Sequence, residues 1–214
     1  MKKIVAVLIG VVMLSFSAFA ASAQLSVPGT NIPDDENVSG IRLSLLHGET
    51  TNVKGLDISI LGLSDMDNFT GLELGFFFGA NRIKNEFKGV SLGLINWHEG
   101  YDTGANLGFV NYVNDVNGVN FGFANYSTGD SLINLAAVNY VEYESMVNFG
   151  FVNITQGTSL VDIGFVNYAE ATSFQLGFIN ATKNLDGLQV GFVNYAENGV
   201  FPVLPIVNFR KGLY

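Results

Sequence analysis

Cysteine is absent from the 214 residues. Its absence excludes disulfides, thiolate nucleophiles, cysteine-ligated metals and a lipidated N-terminal cysteine. Histidine occurs only as His47 and His98. Neither has a second histidine at metal-ligand spacing, and Gly100 and Tyr101 after Glu99 break an HExxH pattern. Neither a G-x-S-x-G nucleophile elbow nor a P-loop occurs. Charge is sparse and one-sided: ten Lys and Arg face nineteen Asp and Glu, a formal −9. Such a chain has no electrostatic footprint for nucleic acid. Apolar residues reach 48%, too many for a disordered chain. The composition predicts no cofactor, no metal and no catalytic set.

What is present begins with an address. Residues 1–23, "MKKIVAVLIGVVMLSFSAFAASA", place Lys2 and Lys3 before an apolar run and end in Ala21-Ser22-Ala23. That order predicts a secretory signal peptide cleaved before Gln24. The expected location is therefore the outer membrane or cell surface, the extracellular medium, or the periplasm. No other run reaches the ~18 apolar residues of a spanning helix. Residues 24–39 read as an N-terminal segment and 40–214 as a single β-repeat domain.

The repeat is marked by an asparagine at Asn96, Asn111, Asn125, Asn139, Asn153, Asn167, Asn180, Asn194 and Asn208. Steps are mostly 14 residues, with one of 15 and one of 13. Weaker copies precede them, with His47, Gly62 and Phe78 at the marker position, for about twelve copies in all. Six, four and two residues before the marker the side chains are mostly large and apolar; the last of these columns holds Phe76, Phe109, Phe123, Phe151, Phe165, Phe178 and Phe192. Five before, the residue is polar in nearly every copy; three before, it is Gly, Ser or Ala. Period-two alternation predicts a half-buried strand in each copy, apolar side inward. Turn-rich pieces such as "STGDS" and "KNLDG" separate the copies.

Two all-β architectures fit: a β-solenoid of about twelve ~14-residue coils, or a 12-stranded up-and-down β-barrel acting as a small outer-membrane pore. A solenoid grows by translation, so each copy meets the same surroundings and a strict one-copy period follows. A meander reverses at each strand, so its natural period is two strands. A lipid-facing barrel would also put either the Asn column or the Asp, Asn and Gln column into hydrocarbon. Pro202 and Pro205 lack ladder donors and suit an edge at the end of a stack. The solenoid is the expected fold.

The phrase G-φ-polar-φ-G-φ-φ-N, as in "GVNFGFAN" (118–125) and "GLQVGFVN" (187–194), resembles a family of uncharacterised bacterial surface-repeat proteins. The opening "GIRLSLLHGETTNVKGLDISILG" (40–62) is similar to that family's first copies. The resemblance implies an exported envelope or surface protein and no known catalytic residues.

Candidate residues are few. The marker Asn residues are expected to be structural, tying successive turns through side-chain ladders. Asn106, Asn120, Asn134, Asn148, Asp162, Gln175 and Gln189 form a polar column that a solenoid would display as a flat amide strip beside Tyr112, Tyr126, Tyr140, Tyr168 and Tyr195. Amides beside rings suit a cell-surface polysaccharide or another envelope protein. A catalytic reading would pair His98 with Glu99 or Asp102, and an ordinary mixed-polarity loop is the favoured explanation. Asp65 and Asp67 in "SDMDNFTG" read as a solvated turn rather than half a calcium loop, since the later Glu and central Gly are missing. An exported, non-catalytic structural or binding module is the expected function.

Overall fold

The computed structural model describes residues 22–212. It is an all-β chain, a β-solenoid of about 11 coils of ~14 residues, and not a barrel. The expected signal peptide lies outside the described residues, apart from Ser22 and Ala23 at the start of the first strand. The chain divides into two compact units, one ending at Gly100 and the other beginning at Tyr101.

The first unit contains β1 (Ser22–Val27), β2 (Thr30–Ile32), β3 (Asn37–Phe76) and β4 (Ala80–His98). β1 and β2 form an antiparallel hairpin. β1 then runs parallel to β3, with Leu25 beside Leu43. β3 runs parallel to β4, with Leu72 beside Val90. The segment 24–39 is thus joined to the repeat sheet through β1. These coils stack closely at their corners. Gly71 has φ of 143°, and a Cβ there would sit 1.9 Å from the Gly55 carbonyl oxygen; only glycine accepts both constraints. The interior holds Val38, Val53, Met66, Phe69, Ile83 and Phe87. The rings of Phe69 and Phe87 stack at 5.8 Å.

The second unit contains β5 (Tyr101–Val113), β6 (Asp115–Phe121), β7 (Ala124–Ser127), β8 (Ser131–Leu135), β9 (Val138–Val141), β10 (Ser145–Phe149), β11 (Val152–Ile163), β12 (Val166–Ala196) and β13 (Val203–Phe209). Two parallel stacks share its coils. One brings Asn106, Asn120, Asn134, Asn148, Asp162 and Gln175 into register. The other aligns Asn111, Asn125, Asn139, Asn153 and Asn167. Each copy of the phrase in the middle of this unit is two short strands, not one. A bend at Gly122–Phe123, and again at Gly150–Phe151, separates them.

That bend corrects the expected facing of the side chains. Alternation slips in phase there: Asn120 and Asn125, an odd five residues apart, are both buried. The polar residue five before the marker and the marker Asn are both inside, and the Phe two before it is outside. A 14-residue coil is thin, so the side chains that meet across it must be small. Val113, Ser127, Val141, Thr155, Ala169, Thr182 and Ala196 form one further buried column, and Val116, Ser131, Ser145, Ser159, Thr172 and Leu185 another. Rows of Phe do not fit there.

The last copy departs from the series. β13 runs antiparallel to β12, pairing Asn208 with Gln189 rather than with Asn194. Pro202 and Pro205 lie in or beside this edge strand, where missing N–H donors cost least.

Candidate functional site

The marker asparagines of the second unit form a continuous ladder. Asn111 Nδ2 donates to Asn125 Oδ1 at 2.8 Å, and Asn125, Asn139, Asn153, Asn167 and Asn180 repeat the bond to Asn139, Asn153, Asn167, Asn180 and Asn194 at 2.8–2.9 Å. Most also reach a backbone carbonyl of the next coil, such as Asn153 to Ile163 at 3.0 Å. A Cβ at Gly164 would lie 2.4 Å from the Gly150 carbonyl oxygen and 2.7 Å from Asn153 Nδ2. Glycine three before the marker therefore leaves room for both the carbonyl above and the amide ladder. Asn96 is buried in the first unit, where its Oδ1 accepts from Ser91 at 2.8 Å. Asn208 stands apart, donating to the Phe201 carbonyl and accepting from Phe209 N–H.

The expected amide strip is not a surface. Asn106, Asn120, Asn148, Asp162, Gln175 and Gln189 are 0% exposed, and Asn134 is 1% exposed. They form a second internal ladder, which burial of polar groups requires. Asn106, Asn120, Asn134 and Asn148 each donate onward, ending on Asp162 Oδ1 at 2.8 Å. From the other side Gln189 donates to Gln175, and Gln175 to Asp162 Oδ2 at 3.2 Å. The ladder has a direction, and it reverses at Asp162 because an ionised carboxylate only accepts. Ser159 Oγ also donates to it at 2.6 Å. Burial pushes the Asp162 carboxyl above its ordinary range, against the pull of the Ser159, Asn148 and Gln175 donors. No sugar reaches these amides, so the polysaccharide reading loses its site.

The tyrosines do face out. Tyr112, Tyr126 and Tyr140 stack at 5.0–5.3 Å. The Tyr126 hydroxyl donates to Glu142, whose carboxylate pushes the phenol up to about 12.

The other candidates are absorbed by the fold. His98 is fully buried against the Phe87 ring at 4.6 Å, with Glu73 Oε2 3.9 Å from its Nε2. Glu99 is bonded to Arg82 at 2.8 Å, and Asp102 accepts from Asn106 at 2.7 Å. Asp65 and Asp67 lie on β3 at a bulge, not in a turn, and Lys84 pairs with both at 3.0 and 3.4 Å. Arg82 lies against Asp65 as well and over the Trp97 ring. His47 bonds Glu49 at 2.9 Å, and the bond holds the Glu49 carboxyl below its ordinary range.

What the second unit offers the outside is apolar. Phe109, Phe123, Phe151, Phe165, Phe178 and Phe192 are 43–67% exposed. Consecutive rings from Phe151 to Phe192, and the pair Phe109–Phe123, stack at 4.9–5.0 Å. Across 105–110, 119–124, 133–138, 147–152, 161–166, 174–179 and 188–193 the only charge is Asp162, which is inside. Between the Phe ridge and the ridge of Phe149, Ile163 and Leu176 runs an open groove of about 450 Å³, floored by Gly150, Gly164 and Gly177. The sequence carried this signal in its charge-free windows, but the alternation alone assigned them to the interior. Comparison with known protein families, curated proteins and solved structures finds no match.

Proposed function

We propose that the chain is an exported, non-catalytic repeat module of the cell envelope or surface, whose working part is the flat apolar face. The observation that carries this reading is the segregation of each coil in the second unit. One half presents Phe, Leu, Val and Ile without charge, and Asp115, Asp130, Glu144 and Glu170 lie in the other half, Asp130 and Glu144 between strands and Asp115 and Glu170 on β6 and β12. An exposed apolar patch of this size on a folded chain marks an interaction surface. The leader-like residues 1–23 and the likeness to surface-repeat proteins support export. The burial of His98, and the engagement of Glu99 and Asp102 elsewhere, support a non-catalytic role. Fractionation of expressing cells, with N-terminal sequencing, tests the reading. The expected product begins at Gln24 and is recovered from the envelope or the medium. Full-length chain in the cytoplasm overturns it.

A further inference from the structure

We infer that the apolar face of the second unit pairs with the same face of a second copy of this chain. The inference rests on the reading of that face as the working surface, and it names the occupant.

Topography is the first argument. The face is corrugated: a Phe ridge, a glycine-floored groove and a second apolar ridge run side by side across the coils. Ring centroids along the Phe ridge repeat every 4.9–5.0 Å. A partner that fills the groove along its length needs ridges at the same pitch. The chain's own face has that pitch, one ridge residue per coil, with Ala137 in place of Phe in the third. Laid face to face, the Phe ridge of each copy enters the groove of the other, an isologous contact in which both copies use one patch. This is ordinary aligned sheet packing, with faces ~10 Å apart and side chains interdigitated.

Area is the second argument. About seven coils at ~4.8 Å and about five residues at ~3.3 Å give a face of roughly 34 by 16 Å. Two such faces remove about 1,000 Å² from water, the lower bound for a specific interface and above most crystal-packing contacts. Charge is the third. The windows that form the face carry no outward charge, so pairing buries none. Asp115, Asp130, Glu144 and Glu170 lie outside those windows, on the other half of the coils, where copies repel if they approach by that side. A lipid surface fits less well, because Lys183, Arg210 and Lys211 are the only cations of this unit and give little attraction to head groups.

The test is sedimentation equilibrium of the purified chain beginning at Gln24, without detergent, across a range of concentrations. The expected result is a dimer at micromolar concentration. The double variant Phe151→Asn, Phe165→Asn, with an unchanged far-ultraviolet spectrum, should weaken the dimer at least ~100-fold. Phe151→Cys provides a second measurement, because the chain has no other thiol. Its coil is central in the face and meets its own copy in either two-fold arrangement; the facing thiols lie too far apart for a direct disulfide but within reach of a bis-maleimide spanning ~10 Å, which should give a cross-linked dimer. A wild-type monomer at every concentration overturns the inference. Flotation with phosphatidylcholine vesicles then separates two failures. A monomer that floats shows that lipid is the occupant and leaves the apolar face as the working surface. A monomer that neither pairs nor floats overturns both readings.

Discussion

The two units fill the inside of a coil in different ways, and coil length decides which. In the first unit Leu72 pairs with Val90, 18 residues on. The longer coils make space for Met66, Phe69, Ile83 and Phe87, all buried. They also enclose a full ion pair, Arg42 with Asp57 at 3.3 Å, both 0% exposed. Ser64 bridges the pair, accepting from Arg42 and donating to Asp57, while Ser26 accepts from the guanidinium. Burial pushes the Asp57 carboxyl above its ordinary range, and Arg42 and Ser64 pull it back. In the second unit Asn111 pairs with Asn125, 14 residues on. No ring fits inside so short a coil. Small residues and two amide ladders fill it, and each rung satisfies the next. The first unit is a mixed core in which each residue has its own neighbours. The second is a translation in which neighbours are interchangeable.

Removing one coil separates the two designs most strongly. Deleting residues 56–71 takes Asp57, Met66 and Phe69 from the first unit and leaves Arg42 buried without its carboxylate. That variant should fail to fold, as read by circular dichroism. Deleting residues 146–159 takes one repeat from the second unit. Asn139 then meets Asn167, and the chain should remain folded and cooperative, as stacked repeats do. Equal damage from both deletions would erase the distinction.

Next in size is the ion pair. Arg42→Leu leaves the Asp57 carboxylate buried and should cost about 3–5 kcal/mol in urea unfolding. Adding Asp57→Leu should recover a large part of that loss, because the penalty belongs to the unpaired charge. A single rung of the second unit costs less. Asn153→Leu takes the donor from Asn167 Oδ1 and the acceptor from Asn139 Nδ2, and should cost roughly 1–3 kcal/mol. Asn139→Leu and Asn180→Leu should cost the same within error, since the surroundings repeat. Unequal losses would show that the rungs are not equivalent.

Much of this was legible in the sequence. The 14-residue period and the alternation in each copy gave an all-β coil, and Pro202 and Pro205 marked an edge. Facing was not legible, because a seven-residue alternation hides a bend at Gly122 or Gly150 that shifts its phase. Once shifted, Asn120 and Asn125 both point inward and Phe123 points out. Asn120 looked like a surface amide because a buried polar side chain is costly alone. Its cost is met only by the copies 14 residues away on either side, Asn106 and Asn134. Antiparallel return of β13 was hidden too, since Asn208 keeps the marker spacing while its strand reverses.

Asp162 gives a smaller effect with a defined sign. Its carboxyl is held above its ordinary range in the fold, so the folded chain takes up that proton before the unfolded chain does. The wild type should gain stability relative to Asp162→Asn as pH falls from neutral toward the ordinary Asp value of about 3.9, and the gap should stay constant below it. A difference that does not vary with pH would contradict the buried, ionisable carboxylate. The smallest effect is at the corners of the first unit. Leu46 has φ of 69° and is exposed. Leu46→Gly should leave stability unchanged or raise it by up to about 1 kcal/mol, the left-handed strain relieved outweighing the added chain entropy.

The central claim is that the amides are inside and the phenylalanines outside. Side-chain amide exchange of Asn120, Asn134 and Asn148, followed by nuclear magnetic resonance after transfer to heavy water, tests it most directly. Locked in the ladder and shut from solvent, these NH₂ protons should persist long after freely solvated amides have exchanged. Complete exchange within the dead time would place them on the surface and contradict the account.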